Sequence, residues 1–402
     1  MAEILILCEY PTLSGGERSM LATLDGVARA GFAPVVAAPP EGPLAEALAE
    51  RGIEVVGLTT RDASGGHRPQ AAVRQELACL LSKRRPGLVH ANSLAMGRLA
   101  GPVTQGLRIP SLAHLRDILR LSRQAIADLN DNTRLLAVSQ AVRCFHTRGG
   151  LAEGKTFVLY NGVDLERFRP GPPTGYLHEE LGLSGGKGDR HLLCEAPEGP
   201  FRQKVPVPFS RLSPFPPLVA VIGQIGIRKG MDVLLQAAVR VSQERLDVHY
   251  LLVGQRWSDK AESRRFEAEL HRVAEARLGG RVHFLGLRAD VDRLLREVTM
   301  LVHSARQEPL GRVLLEAAAS GAAIVATDVG GTREIFPPDS QTARLVPPDE
   351  PERLADAMAE LLGDGPLRAR LGAAARRRAV AAFSAEKATA GLVEHYRQVS
   401  DC

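Results

Sequence analysis

ILILCEYPTLSGGERSMLATLDGVARAGFAPVVAA, from Ile4 to Ala38, decides the fold. It opens on a continuous apolar run, Ile4–Cys8. A glycine-containing loop follows over Tyr10–Gly16. Met20, Leu21, Leu24, Val27 and Ala28 then recur at helical spacing, Gly31 ends that pattern, and Pro34–Ala38 gives a second apolar run. Strand, loop, helix, strand is a βαβ unit. Runs this apolar belong to strands buried on both faces, and so to a parallel sheet.

The same alternation continues through Ile53–Leu58, Leu88–Ala91, Ser111–His114, Leu135–Val138 and Thr156–Tyr160, with helical stretches such as Ala71–Ser82 between. Residues 1–168 therefore read as one Rossmann-like domain. Residues 169–217 break the rhythm with ten prolines and a glycine cluster at Gly185, Gly186 and Gly188, and read as a linker plus a surface insertion at about 184–217, poorly ordered in part. A second series follows over 218–383: Leu218–Ile222, Val248–Val253, Val282–Leu285, Met300–His303, Ala323–Ala326 and Ala343–Val346, with helices such as Met231–Val241 and Gly311–Ser320. Ser384–Val399 reads as one more amphipathic helix, within a tail of residues 384–402. The fold class is α/β, two Rossmann-like domains in tandem, and the default ligand site is the cleft facing the carboxyl ends of their strands.

Composition narrows the function. The 402 residues are 45% hydrophobic and 24% charged, ordinary for a globular chain and enough for two or three domains. The formal charge of +5 is slight and aromatics are 4%, which argues against nucleic-acid binding. The five cysteines, at 8, 79, 144, 194 and 402, form no CxxC pair and fit a reducing compartment. The longest apolar runs fall far below the roughly 18 residues of a spanning helix, and Glu3 stands where a signal peptide would carry basic residues. The chain reads as soluble and cytoplasmic. Lys83-Arg84-Arg85 and Arg116/Arg120/Arg123, near helical spacing, are basic spots: either a peripheral contact with the inner face of a membrane or solvated helix faces.

The densest chemistry lies in His303-Ser-Ala-Arg-Gln-Glu308-Pro-Leu-Gly311-Arg312-Val313-Leu-Leu-Glu316. Glu308 falls in the loop after a strand. Gly311 turns the chain into a helix whose first N–H groups, at Arg312 and Val313, suit a phosphate. Glu316, a turn further on, is placed to accept hydrogen bonds from vicinal hydroxyls. His303 reads as a satisfied core or loop histidine. No metal-binding motif occurs.

This stretch resembles the E-x7-E motif of retaining GT-B glycosyltransferases, family four. Gly223-Gln224-Ile-Gly-Ile-Arg228-Lys229-Gly230 is similar to that family's phosphate segment, with Gln224 where the family has Arg. Ser14-Gly15-Gly16-Glu17-Arg18 is similar to its glycine loop, Tyr160-Asn161-Gly162-Val163-Asp164 through Phe168-Arg-Pro170 to its linker, and Thr327-Asp-Val-Gly330-Gly331-Thr-Arg-Glu334 to its strand-loop element. These motifs stand in family order and span nearly the whole chain.

The resemblance implies a nucleotide-diphosphate-sugar donor in the C-terminal domain. Its nucleoside would lie by Val282–Leu287 and Glu316. Its diphosphate would lie by Lys229, Arg228, Gln224 and the Gly311, Arg312 and Val313 N–H groups, and its sugar by Glu308, Gly330 and Gly331. No cofactor or metal is implied. Gly15, Gly16, Asn92 and His90 would line the acceptor side, for a glycan, lipid-linked or small-molecule acceptor in envelope or exopolysaccharide synthesis. His114 would stand near the transferred sugar, or else bond to a neighbouring loop beside an Arg116–Asp117 surface pair. Arg228 is placed to compensate for Gln224. Glu334 reads as capping the turn that follows it. The tail helix is implied to pack back on the N-terminal domain. A GT-B nucleotide-sugar epimerase and a catalytically weakened nucleotide-sugar-binding protein, the latter on account of Gln224, are the alternatives.

Overall fold

The computed structural model describes residues 2–62, 64–183, 215–244 and 247–400. The greater part of the proline-rich insertion, residues 184–214, lies outside the described residues, as do Cys194 and Cys402.

Two all-parallel sheets form among the described residues. The first holds β1 (Ala2–Leu7), β2 (Phe32–Ala38), β3 (Val55–Gly57), β4 (Leu88–Ala91), β5 (Ser111–Leu115), β6 (Arg134–Ala137) and β7 (Thr156–Val158), in the order β3-β2-β1-β4-β5-β6-β7. The second holds β8 (Leu218–Ile222), β9 (His249–Val253), β10 (Val282–Gly286), β11 (Met300–His303), β12 (Ile324–Thr327) and β13 (Arg344–Val346), in the order β10-β9-β8-β11-β12-β13. The continuous apolar runs behave as parallel strands should. Ile4, Leu5, Ile6 and Leu7 are at most 1% exposed, because helices cover both faces.

Each sheet reverses its direction of growth once, between β1 and β4 and between β8 and β11. At such a switch point the outgoing loops splay apart and leave a crevice at the strands' carboxyl ends. The segments that leave these four strands lead to Gly15–Gly16 at the start of a helix, Asn92, Gln224–Lys229 and Glu308. The topology thus gathers motifs that lie some 300 residues apart in the chain.

The Ala385–Ser400 helix packs against the Gly15–Arg29 helix of the first domain. It buries Leu392, Val393 and Tyr396 in the N-terminal core. The Asn161-Gly162-Val163 linker is where the chain's two crossings meet. Val163 donates its N–H to the Phe383 carbonyl at 2.8 Å and accepts from Ala385 N–H at 3.0 Å. A Cβ on Gly162 would lie 2.6 Å from Ala385 Cα, so only glycine lets the strands pass. No described helix is long and apolar enough to cross a membrane.

The basic spots differ from their sequence reading. Residues 116–122 are not helical, since β5 ends at Leu115 and the next helix begins at Arg123. Arg84 is bound to Glu3 and Glu54, at 2.8 and 2.6 Å, rather than solvated alone.

Replacing Gly162 by alanine is expected to destabilise the protein by about 1–3 kcal/mol, the usual cost of overpacking. Hydrogen exchange should show protection lost first over Ala385–Ser400. Unchanged exchange there would remove the crossing as the site of strain.

Candidate active site

The site is built around the turn after β11. Glu308 is 6% exposed, and its Oε2 accepts from Lys229 Nζ at 2.5 Å and from His303 Nε2 at 2.9 Å. Burial alone would raise the Glu308 pKa. The Lys229 ammonium and the His303 hydrogen bond outweigh burial and hold it well below the carboxylate range. Glu308 is therefore an anion, not a proton donor. His303, read from sequence as a satisfied core residue, is a direct partner of this carboxylate, while its Nδ1 is buried with no partner among the described residues.

Glycines hold this turn by letting backbones touch. Gly330 has φ +52°, and a Cβ there would lie 1.9 Å from the Glu308 carbonyl oxygen. Gly331 donates its N–H to that same oxygen at 3.0 Å. Gly230, φ +60°, stands equally close to the Ser304 carbonyl and so fixes Lys229 beside the turn. Arg306 completes the clamp by bonding the Ile227 carbonyl at 2.7 Å and the Asp232 carboxylate at 2.7 Å. Gln224 is solvent-exposed on the same loop system.

The helix Arg312–Ser320 begins at Gly311, φ +94°. Gly311 O accepts from Leu314 and Leu315 N–H, which leaves the N–H groups of Arg312 and Val313 outside the helix ladder. Glu316 is bound by Arg312 at 2.8 Å, four residues apart on one face. The same guanidinium reaches the first domain, at Ser19 Oγ (3.0 Å) and the Gly15 carbonyl (3.3 Å).

Gly15 and Gly16 differ from the loop expected for them. They are the first residues of a helix, and neither has positive φ. Gly16 supplies room: an added Cβ would sit a tight 3.3 Å from Arg116 Cδ, whereas one on Gly15 would meet Arg312 Cδ at an ordinary 3.5 Å.

The N-terminal wall also departs from its reading. Arg116 does not pair with Asp117. Its Nε and both terminal nitrogens bond Asn92 O (2.9 Å), Asn92 Oδ1 (2.8 Å) and Asn161 Oδ1 (2.8 Å). Asn92 is consequently buried and committed to Arg116, not open to the cleft. Asp117 instead faces Arg228 of the other domain at 3.7 Å.

His114 is 4% exposed, part of a buried chain rather than a free cleft residue. β4 and β5 pair His90 with Leu112, so His114, two residues on, shares the face of His90. His90 Nε2 lies 2.7 Å from His114 Nδ1, and His90 Nδ1 lies 2.6 Å from the Tyr396 hydroxyl. Burial, then the Arg116 charge, pushes His90 down to about 3 and His114 well below the usual imidazole value. Both are neutral.

Contacts across the cleft tie the walls together. Ser139 Oγ donates to the Pro309 carbonyl at 2.6 Å. Glu334, expected to cap its own turn, instead accepts from Gln140 N–H (2.7 Å) and Ala141 N–H (2.9 Å), capping the Gln140–Arg148 helix of the other domain. The structure thus brings Glu308, Lys229, Glu316, Arg312, Val313, Gly330 and Gly331 into one wall and His114 and Arg116 into the other. The sequence places Arg116 in a polar cluster at a strand's carboxyl end and Asn161 in a linker motif, but shows neither their bond to each other nor the bond of Ser139 to Pro309. Position at the carboxyl end of a strand or in a linker motif was the available signal. Among the described residues no three His, Cys, Asp or Glu side chains group as a metal would require.

Comparison with known proteins agrees with this fold. Residues 13–167 match the family model Glycosyltransferase Family 4, and residues 209–378 match Glycosyl transferases group 1. Alpha-maltose-1-phosphate synthase of Mycolicibacterium smegmatis is 30% identical over 66% of this chain and 63% of its own length. Lipopolysaccharide core biosynthesis mannosyltransferase LpsB of Rhizobium meliloti is 28% identical over 52% of this chain and 51% of its own. The chain therefore spans about half to under two thirds of these curated relatives. Anabaena HepE, solved in complex with UDP-glucose, shares the fold with a TM-score of 0.80 at 21% identity, over 99% of this chain and 100% of HepE.

Burial also lowers His146, His249, His283 and His395, but His90 and His114 are the pair buried deepest, and they add a pH dependence of their own. Below about pH 6.5 the unfolded chain protonates them and the folded chain does not, so stability falls on acidification, by about 1.4 kcal/mol per pH unit for each. Urea unfolding of the N-terminal domain is expected at clearly lower urea at pH 5.5 than at pH 7.5, with a shallower fall in His90→Gln. Equal slopes in the two proteins would mean that the pair is not what titrates.

Proposed function

The chain belongs to the group 1 glycosyltransferases, and from that premise we propose that it transfers a glycosyl unit from a nucleotide-diphosphate sugar to an acceptor, with retention and without a metal ion. The observation that carries this reading is the composition of one segment. Between His303 and Glu316 it holds an ionised carboxylate against Lys229, two helix N–H groups outside the ladder, and a second carboxylate one turn on.

In this reading the donor lies along the C-terminal wall. Glu316 accepts the vicinal hydroxyls of the ribose, sharing its charge with Arg312. The diphosphate takes the Arg312 and Val313 N–H groups at the positive end of their helix. Lys229 lies between diphosphate and Glu308, so bound donor adds a second anion to a lysine that already has one. Arg228, half-exposed and only loosely held by Asp117, turns to the phosphates in place of the arginine that Gln224 replaces. These fixed positive groups meet the charge that develops as the nucleotide leaves, which is the part a metal ion would otherwise play.

Glu308 cannot act as an acid. Its buried negative charge is suited to holding a sugar hydroxyl or a positive charge growing at the anomeric carbon. The acceptor enters from the N-terminal wall and attacks on the face the nucleotide leaves, with a leaving phosphate oxygen taking its proton. No side chain is then needed as a strong base. HepE with UDP-glucose supports the donor class at the level of the fold, and LpsB supports a glycan or lipid-linked acceptor.

Glu316→Ala and Lys229→Ala are each expected to cut turnover by tens-fold or more, as losing a positioned polar contact does. Activity against UDP-, GDP- and ADP-sugars should survive EDTA, and NMR of the product should show the donor's anomeric configuration. Full activity of either variant removes the site. Inversion removes the retaining assignment, and loss in EDTA removes the metal-free one.

A further inference from the structure

We propose that the small cavity between the Gly15–Arg29 helix, the end of β5 and the tail helix is an oxyanion subsite. There Arg116 and His114 take one oxygen of a phosphate or carboxylate carried by the acceptor. The assignment of that anion to the acceptor rests on the transfer reading above; the subsite itself does not.

The cavity measures about 20 Å³ and is lined by Ser19, Thr23, His114, Arg116 and Asn161 among others. That is room for one water-sized group, and so for one oxygen of a larger ligand. What the lining offers that oxygen follows from counting hydrogens. Ser19 Oγ donates to the Gly15 carbonyl at 2.8 Å, and Thr23 Oγ1 donates to the Met20 carbonyl at 2.8 Å. Neither hydroxyl proton is available.

The histidine chain fixes the rest. Tyr396 is fully buried, and its hydroxyl meets His90 Nδ1 at 2.6 Å. A buried phenol must place its proton on an acceptor, so it donates to His90. His90 then carries its own proton on Nε2 and donates to His114 Nδ1 at 2.7 Å. His114 is left with its proton on Nε2, the nitrogen turned away from His90. Tyr396 and His90 are positioning residues: they make His114 a donor and not an acceptor.

Arg116 has five N–H donors. Three hydrogen bonds commit three of them, all to neutral oxygens of Asn92 and Asn161. Its charge therefore has no carboxylate at hydrogen-bonding distance among the described residues, and two donors remain. A hydroxyl entering this cavity would need an acceptor for its own proton. An oxyanion needs none, and it would meet the guanidinium at hydrogen-bonding distance, which Glu17, the buried carboxylate whose charge acts on Arg116, does not.

The test uses the full chain with 15N-labelled histidine. The His114 ring signals are assigned by their absence in His114→Gln, and followed while methyl phosphate, glucuronate or methyl glucoside is added. The expected result is a His114 Nε2–H tautomer in the free protein and a saturable shift with an anion but not with methyl glucoside. A response to methyl phosphate alone identifies a phosphate, and one to glucuronate alone a carboxylate. Arg116→Gln should weaken binding about tenfold or more. Arg116→Lys, which keeps the charge without the fork, should retain part of it. Tyr396→Phe should change the tautomer population and weaken binding. No shift with either anion, or an equal shift with methyl glucoside, overturns the subsite. UDP, GDP and ADP are titrated into the same sample. Anion binding without nucleotide binding would sink the transfer reading and leave the subsite, whereas nucleotide binding without anion binding would do the reverse.

Discussion

The rest of the cleft depends on the burial of an ionised carboxylate at Glu308. An unpaired buried carboxylate would either protonate or be expelled to water. Here it is held by Lys229 at 2.5 Å and His303 at 2.9 Å. Both partners must themselves be placed. Lys229 is placed by Gly230, whose left-handed backbone packs on the Ser304 carbonyl, and the Glu308 backbone is held by Gly330 and Gly331. Three short glycine contacts thus serve one charge. The motifs that carry the family resemblance, K-G after β8 and G-G after β12, are the two sides of one clamp.

A second constraint is that the cleft has two walls from different domains. The hydrogen bonds across it reuse groups already required within each wall. Arg312 neutralises Glu316 and also reaches Gly15 and Ser19. Pro309, next to Glu308, gives its carbonyl to Ser139. Glu334, three residues after Gly331, caps a helix of the first domain. Any change in the angle between domains is therefore felt at the Glu308 turn and at Glu316. The Arg312 guanidinium is shared between Glu316 of its own wall and Gly15 and Ser19 of the other, so a change at either side is felt at both.

Much of this was legible in the sequence. The strands were, because a parallel strand buried on both faces is a short continuous apolar run, and Ile4–Cys8 or Leu218–Ile222 have few other readings. The E-x7-E segment was, because its spacing sets a loop carboxylate and a helical carboxylate one turn into a helix. What was not legible is pairing at long range. Nothing local says that Glu334 serves Gln140, or that Asn92 and Asn161 are spent on Arg116. The glycine pair at 15 and 16 was misread for a related reason. Their backbone is ordinary helix, and the tight fit at Gly16 comes from Arg116, which enters from another element. Likewise His303 reads as a core histidine because its one polar partner lies five residues on, around a turn.

The two walls differ in how their charge is balanced, and the difference says what each is built to meet. On the C-terminal wall Lys229 faces Glu308 and Arg312 faces Glu316, so a ligand there exchanges partners within pairs that are already satisfied. On the N-terminal wall the Arg116 hydrogen bonds all go to amide oxygens, and burial, opposed by the charge of Glu17 and aided by that of Arg312, lowers its pKa to about 10. The Arg116 charge, added to burial, keeps His90 and His114 neutral. Neutral imidazoles in series cannot store a proton, but they can transmit an orientation, and the one they transmit begins at Tyr396 on the tail helix. The tail helix crosses back from the second domain to the first. Its docking is thus required twice: it completes the N-terminal core, and it sets which nitrogen of His114 carries the hydrogen.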